Sequence, residues 1–190
     1  MTRARPNILI TGTPGTGKTC LAQQLIQKEV CKDLTLISIG SLSKDKNLYL
    51  EFDDEFECHV LDEDAVLHEL SHRFKAGGDL TAGGVIFEHH LCDFLPKEWI
   101  DVVYVLRADN TVLYDRLKER GYSDKKLQSN LECEIFQTIF DEAVESFENV
   151  IQLRNDCEAD QTANLESICR FIREWTQQPE MKEQGHETRR

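Results

Sequence analysis

The chain has 190 residues, 40% hydrophobic and 30% charged, enough for one α/β domain with a sizeable core and a well-solvated surface. Its formal charge of −13 argues against non-specific nucleic-acid binding, which draws its affinity from Lys and Arg neutralising phosphates. Seven cysteines without a C-x-x-C pair argue against a disulfide framework, and no apolar run approaches the ~18 residues of a membrane span. Arg3 and Arg5 lead into no signal-length apolar segment, so a soluble intracellular protein with reduced thiols is expected.

Asn7-Ile-Leu-Ile10, bounded by Pro6 and Gly12, reads as a buried strand. After a glycine-rich loop, Lys18 to Glu29 carries Leu21, Leu25 and Ile26 at helical spacing. Leu34 to Ile39 is a second β-like run closed by Gly40-Ser41. Leu42 to Leu61 is less regular and strongly acidic from Glu51 onward. Asp62 reads as an N-cap, with a helix over Asp64 to Lys75 that ends before Gly77-Gly78. Val85-Ile-Phe87 and Val102 to Leu106 are further strands, whose continuous apolar character favours a parallel sheet covered on both faces. Thr111 to Arg120 is helical and stops at Gly121. A polar turn over Ser123 to Ser129 precedes one long amphipathic helix from Asn130 to Phe147. Val150 to Leu153 is a fifth strand, and Leu165 to Trp175 docks as a helix by one face. From Pro179 onward only Met181 is apolar, so residues 179–190 are expected to be a disordered tail behind a single domain over residues 1–178. The alternation predicts a doubly wound, five-stranded parallel α/β sheet with ligands at the carboxyl ends of its strands.

Gly12-Thr-Pro-Gly-Thr-Gly-Lys18-Thr19 matches G-x-x-x-x-G-K-[ST] in full, between a strand and a helix. Gly15 and Gly17 let the backbone curl so that successive N–H groups face phosphate oxygens, and the helix N-terminus adds positive potential. Lys18 supplies an ammonium to the β- and γ-phosphates, and the Thr19 hydroxyl can ligate the Mg²⁺ that accompanies ATP. Lys18 is expected to face solvent there, with no core role.

Glu88 and His90 stand two apart, so a continuing strand would turn both toward the nucleotide. Glu88 is then the carboxylate near Mg²⁺, and His90 positions water or an acceptor unless it merely caps a carbonyl. Arg107 closes a strand, and Arg116 and Arg120 share a helix face; such guanidinium groups stabilise a transferring phosphoryl group or simply pair with surface carboxylates. Asp53-Asp-Glu-Phe-Glu57 with Asp62-Glu-Asp64 lacks the spacing of a Ca²⁺ loop and reads as a solvated face or a dock for a basic partner. His59, His68 and His72 lack Cys companions suited to zinc.

Thr11 to Thr19, Val60-Leu-Asp-Glu-Asp64, Cys92-Asp-Phe94 with Pro96 and Trp99, and Val105-Leu-Arg107 recur in one family. So do Arg120-Gly-Tyr122, Lys125-Lys-Leu127 and Cys133-Glu-Ile-Phe-Gln137. From Pro6 to about Phe147 the chain resembles the adenylate kinase isoenzyme 6 family, nuclear P-loop kinase/ATPases linked to small ribosomal subunit maturation. The resemblance implies the P-loop NTPase fold, a nucleoside-monophosphate-binding segment over residues 38–61, and a short lid over residues 119–129. It implies ATP plus AMP giving two ADP, with slow ATP hydrolysis and Mg²⁺ as cofactor. A basic small-subunit ribosomal protein is the implied partner, and nucleus and cytoplasm the implied location.

The chain departs from that pattern. Glu88-His89-His90-Leu91 stands where the family has Asp-x-His-Gly, so the carboxylate is expected to be displaced and a glycine's freedom lost. Cys20 replaces a threonine at a phosphate contact. Lys44 replaces an arginine expected to meet the monophosphate, keeping the charge without the bidentate fork. A small insertion around Asp79 to Gly83 completes a divergent member. Three readings follow: a monophosphate kinase, an ATP-gated assembly factor acting on a basic ribosomal protein, or an ATP-binding pseudoenzyme. With few apolar anchors in it, residues 119–129 are expected to form a mobile lid.

Overall fold

The computed structural model describes residues 3–54, 57–74 and 82–177. The expected tail from Pro179, Gly77-Gly78 and the start of the insertion at Asp79 lie outside these residues.

Strand β1 (Ile8–Thr11) leads through the phosphate loop into helix α1 (Lys18–Leu25). Strand β2 (Thr35–Ser38), helix α2 (Ile39–Lys46), the pair β3 (Tyr49–Asp53) and β4 (Cys58–Leu61), and helix α3 (Glu63–Phe74) follow. Then come β5 (Val85–Glu88), β6 (Val102–Arg107), α4 (Asn110–Glu119), α5 (Asp124–Ile135), α6 (Thr138–Ser146), β7 (Val150–Arg154) and α7 (Glu158–Gln177). Five parallel strands form the central sheet in the order β2-β5-β1-β6-β7, so the expected P-loop fold is present.

Alternation along each strand divides the core in two. Leu9, Phe87, Val103 and Val105 turn to one face, against Val66 and Leu70 of α3 and Ile139 and Ala143 of α6. Ile8, Ile10, Ile86, Tyr104 and Leu106 turn to the other, against Leu21 and Leu25 of α1 and Leu165, Ile168 and Ile172 of α7. Burial on both sides is why these strands read as unbroken apolar runs. Among the described residues no helix is long and apolar enough to cross a membrane.

Three local expectations give way to tertiary structure. The irregular stretch from Leu42 is the end of α2, closed by Asn47 at φ 52°, followed by a separate antiparallel hairpin. Ile39 and Gly40-Ser41 open that helix rather than closing the strand. The polar turn over residues 123–129 is the cap and first half of α5, whose Leu127 is buried with Leu113 and Leu117 of α4. Residues 119–129 therefore do carry apolar anchors on α4, Leu127 and Tyr122, contrary to the expectation that they hold few. Finally, the long helix expected from Asn130 breaks at Gln137, which takes a left-handed φ of 60°. Arg107 causes the break to hold: its Nη2 donates to the Glu134 carbonyl (2.7 Å) and its Nη1 to Gln137 Oε1 (3.0 Å), satisfying the end of α5.

Candidate nucleotide site

The loop from Gly12 to Thr19 lies at the carboxyl end of β1, where the sheet's crossovers leave a crevice. Gly12 has φ 138°, and a Cβ there would stand 2.3 Å from the Leu106 carbonyl oxygen, so only glycine allows the loop to press against β6. The loop turns internally through Thr16 N–H and Oγ1–H, both donating to Thr13 O at 3.2 and 2.9 Å.

Lys18 is buried, at 7% exposure, contrary to the solvent-facing side chain expected. Its Nζ donates to Gly12 O (2.7 Å) and Thr13 O (3.0 Å), neutral partners for a desolvated cation. Burial, opposed by the Glu88 carboxylate and reinforced by Arg120, lowers its pKa to about 8. A phosphate group is a better partner than two carbonyls, so the ammonium is poised to turn to one.

Glu88 ends β5 beside α1. Its Oε1 accepts from Thr19 Oγ1 (3.1 Å) and its Oε2 from Ser38 Oγ (2.8 Å). The longer side chain is thus not displaced from the loop: it reaches the hydroxyl that follows Lys18 and bridges it to the end of β2. A threonine hydroxyl and a carboxylate side by side are hard oxygen donors, which fits Mg²⁺ held through one or two side chains, water and phosphates. Among the described residues no group of three or more His, Cys, Asp or Glu could hold a metal by itself.

The alternation expected to carry His90 with Glu88 stops, because β5 ends at Glu88. Both His89 and His90 line the cavity instead, with rings 4.3 Å apart. Desolvation by the cavity walls, with its neighbour His90 and Lys18, pushes His89 down to about 3. Desolvation together with Lys18 and Lys126 pushes His90 down to about 4. Both rings are neutral near pH 7 and suited to orienting water or a hydroxyl rather than to supplying charge. Leu91 also lines the cavity and is not among the positive-φ residues, so the chain turns here without a glycine.

The arginines separate. Arg120, the C-cap of α4, lines the cavity with Lys18 and Lys126. Arg107 does not face it: its Nε donates to Glu134 Oε1 (2.6 Å), and the buried Glu134 carboxylate also accepts from Thr13 Oγ1 (2.5 Å) and Ala108 N (3.0 Å). Arg116 holds the phosphate loop from outside, donating to the carbonyls of Gly15 (3.4 Å), Asn155 (2.9 Å) and Asp156 (2.8 Å). Both bond to protein groups, and neither lines the cavity. Lys44 is exposed on α2 and outside the cavity lining. Cys20 lines the cavity and accepts from Gln161 Nε2 at 3.0 Å.

Sequence reasoning missed three supports. Asn155, buried at 2% exposure, donates from Nδ2 to Thr16 O (2.7 Å). It follows the last strand at the ligand-bearing end of the sheet, a placement that marks it in principle. Glu134 and Lys126 lay within the quoted motifs without a role. Lys126 Nζ donates to the Glu57 carbonyl (2.5 Å) and Ser123 Oγ to Glu57 Oε2 (2.7 Å), joining α5 to the hairpin across the cavity mouth. The cleft holds about 870 Å³, near the top of the ~300–1,000 Å³ range of ligand sites.

A family model described as AAA domain matches residues 8–137. The adenylate kinase isoenzyme 6 homolog of Caenorhabditis elegans is 42% identical over 184 residues, covering 96% of this chain and 97% of that protein. The homolog of the same name from Dictyostelium discoideum is 41% identical over 175 residues, covering 91% and 95%. The solved shikimate kinase of Bacteroides thetaiotaomicron superposes with a TM-score of 0.52 at 14% identity, over 88% of this chain and 98% of that one, a likeness of fold alone. A P-loop kinase fold, a complete phosphate loop and relatives of this kind support a nucleotide kinase or ATPase, and at 42% identity over nearly its whole length the chain belongs to the adenylate kinase isoenzyme 6 family.

Proposed function

We propose that this protein transfers the γ-phosphoryl group of ATP to a nucleoside monophosphate, AMP first among them, forming two molecules of ADP with slow ATP hydrolysis alongside. One observation carries the reading: a single cavity runs from the phosphate loop, Lys18 and Glu88 to Ser43, Tyr49, Phe52 and His59 of α2 and the hairpin. Donor and acceptor can share one space there. An oxygen of the acceptor phosphate attacks the γ-phosphorus as the bond to the β–γ bridging oxygen breaks.

Loop N–H groups and Lys18 hold the β- and γ-phosphates, while Arg120 faces the charge that develops on the transferring group. Mg²⁺, when bound with ATP through Thr19 and Glu88, supplies charge neutralisation at the phosphate oxygens. His90 orients the acceptor or, in its absence, water. The test is ADP formation from ATP and Mg²⁺ with and without AMP. Stimulation by AMP with two ADP formed per AMP consumed is expected; equal rates would overturn the reading.

A second reading, ATP hydrolysis coupled to a basic small-subunit ribosomal protein, is favoured by one feature. Among the described residues lining the cavity, those from Ser38 to Leu61 include no Lys or Arg for an acceptor phosphate. Residence in nucleus and cytoplasm goes with this reading. Stimulation of AMP-independent hydrolysis by such a protein, weakening as salt screens the attraction, would favour it over phosphotransfer.

A further inference from the structure

On the sheet face covered by α1 and α7, a cleft of about 530 Å³ opens between those two helices. One wall is a stripe of α7, with Thr162, Glu166 and Arg170 spaced four apart and Arg173 one turn further on. The other wall is Gln24 of α1 and Lys28 in the turn after it. The cleft shares no lining residue with the nucleotide cavity, and the eight residues of α1, about 12 Å of helix, lie between Lys18 and Lys28.

Three exposed cations meet here, Lys28, Arg170 and Arg173, against the single carboxylate of Glu166. With 35 Asp and Glu against 22 Lys and Arg in the chain, a carboxylate partner is the ordinary outcome. Arg3 has Asp101, Arg5 has Asp33, Arg107 has Glu134 and Arg154 has Asp156. Among the described residues, none of the three side chains in the cleft has a hydrogen bond or ion pair, although Glu166 stands one turn from Arg170.

The floor supplies no counter-ion either. Cys169 lines the cleft, with Cys31 beside it in the core. Burial and then the neighbouring Cys169 push the Cys31 thiol up, although Arg173 and Lys28 pull the other way, so Cys31 stays neutral near pH 7. Lys28 and Arg173 act on that one thiol from opposite walls, so their charges converge. Like charges gathered without a counter-ion repel, and an arriving anion relieves them.

The donors also suit one chemistry. Each guanidinium offers paired N–H groups matched to phosphate oxygens, Lys28 adds a point charge, and Gln24 and Thr162 add neutral donors. The volume falls in the ~300–1,000 Å³ range of small-molecule sites. The −13 charge of the whole chain disfavours a long nucleic-acid backbone. We propose that the cleft between α1 and α7 is a second anion site, which takes a small phosphate-bearing polyanion through Arg170, Arg173 and Lys28. Glu166 works against any anion held there.

The test titrates the full chain with inorganic pyrophosphate, its nucleotide site first saturated with the ATP analogue that carries an imido β–γ bridge. Amide NMR shifts report binding, and chloride at matched ionic strength is the control. Saturable shifts at residues 162–173 that chloride does not reproduce are expected. Arg170→Gln with Arg173→Gln should weaken pyrophosphate at least about tenfold through the loss of charge-assisted contacts. Its unfolding temperature should not fall, because both side chains are exposed and unpaired. Glu166→Gln should move affinity the other way and tighten it, an opposite sign that a general structural fault does not produce. Shifts that chloride reproduces, equal affinity in the double variant, or weaker binding in Glu166→Gln would each overturn the site.

Discussion

Asn155→Ala tests whether the phosphate loop is pre-set from behind. The side chain is buried, and its Nδ2 supplies a 2.7 Å bond to Thr16 O on the outer side of the loop. Its Oδ1 receives a longer bond from Asn164 Nδ2 at 3.4 Å. The backbone bonds of Asn155, from its N–H to Arg107 O (2.8 Å) and to its carbonyl from Arg116 (2.9 Å), survive the substitution. Truncation therefore strips a buried carbonyl of a partner, worth about 1–3 kcal/mol, with a smaller loss at Asn164. At about 2–4 °C per kcal/mol for a chain of this size, the unfolding temperature should fall by about 2–12 °C. With Thr16 O released, the peptide can rotate and the inward N–H groups lose their aim, so ATP binding should weaken about tenfold. Thermal unfolding followed by circular dichroism gives the first quantity, and titration calorimetry with Mg²⁺ and ATP the second. A variant that loses stability but binds ATP within twofold of the parent would show that Asn155 only closes the turn after β7, and the positioning argument would fail.

Four further outcomes follow from the same geometry. Glu88→Asp should lower Mg²⁺-dependent turnover at least as far as it can be restored by excess metal, because a shorter carboxylate cannot span Thr19 Oγ1 (3.1 Å) and Ser38 Oγ (2.8 Å) together; faster turnover in a Mg²⁺ titration would refute this. ATP affinity should be flat below pH 7 and weaken as pH rises through about 8, where free Lys18 loses the proton that phosphates require it to hold; Lys18→Met should bind ATP weakly and without that dependence. Glu57→Ala removes the carboxylate that receives Ser123 Oγ, so amide exchange at Ser123 to Lys126 should quicken in the free protein, and unchanged exchange would mean that this side-chain bond does not hold the start of α5. Arg116→Ala should raise the ATP KM with little change in kcat, since it steadies the loop from outside, whereas Arg120→Ala should cut kcat; the reverse pattern in steady-state assays would exchange their roles.

The phosphate loop and the five sheet strands were legible in the residues because each signal is local. Gly12, Gly15, Gly17, Lys18 and Thr19 act through their own backbone and spacing, and Ile8 to Ile10 or Val102 to Leu106 run without a charge because both faces of the sheet are covered. Glu88 was legible as a candidate too, since a carboxylate that ends a buried strand beside the loop has few other uses. What the residues could not disclose was the partner each polar group finds. Arg107 and Arg116 carry the same charge as Arg120, yet Glu134 and the loop carbonyls capture the first two and leave the third to the cavity.

The tertiary structure likewise decided where helices break and which loops are not loops. Gln137 takes its left-handed turn because a guanidinium from β6 satisfies the end of α5, a contact 30 residues away in the chain. The polar stretch after Ser123 became helix because Leu127 finds Leu113 and Leu117 of α4. The segment from Tyr49 to Leu61 became a hairpin whose register shift sets Tyr49 and Phe52 on one face. Periodicity records which side of an element is buried, but not against what. The sequence alone therefore determined the fold class and the phosphate grip, through short-range backbone chemistry. Asn155 behind the loop and the latch at Glu57 were decided only when distant elements met, because each depends on a partner many residues removed.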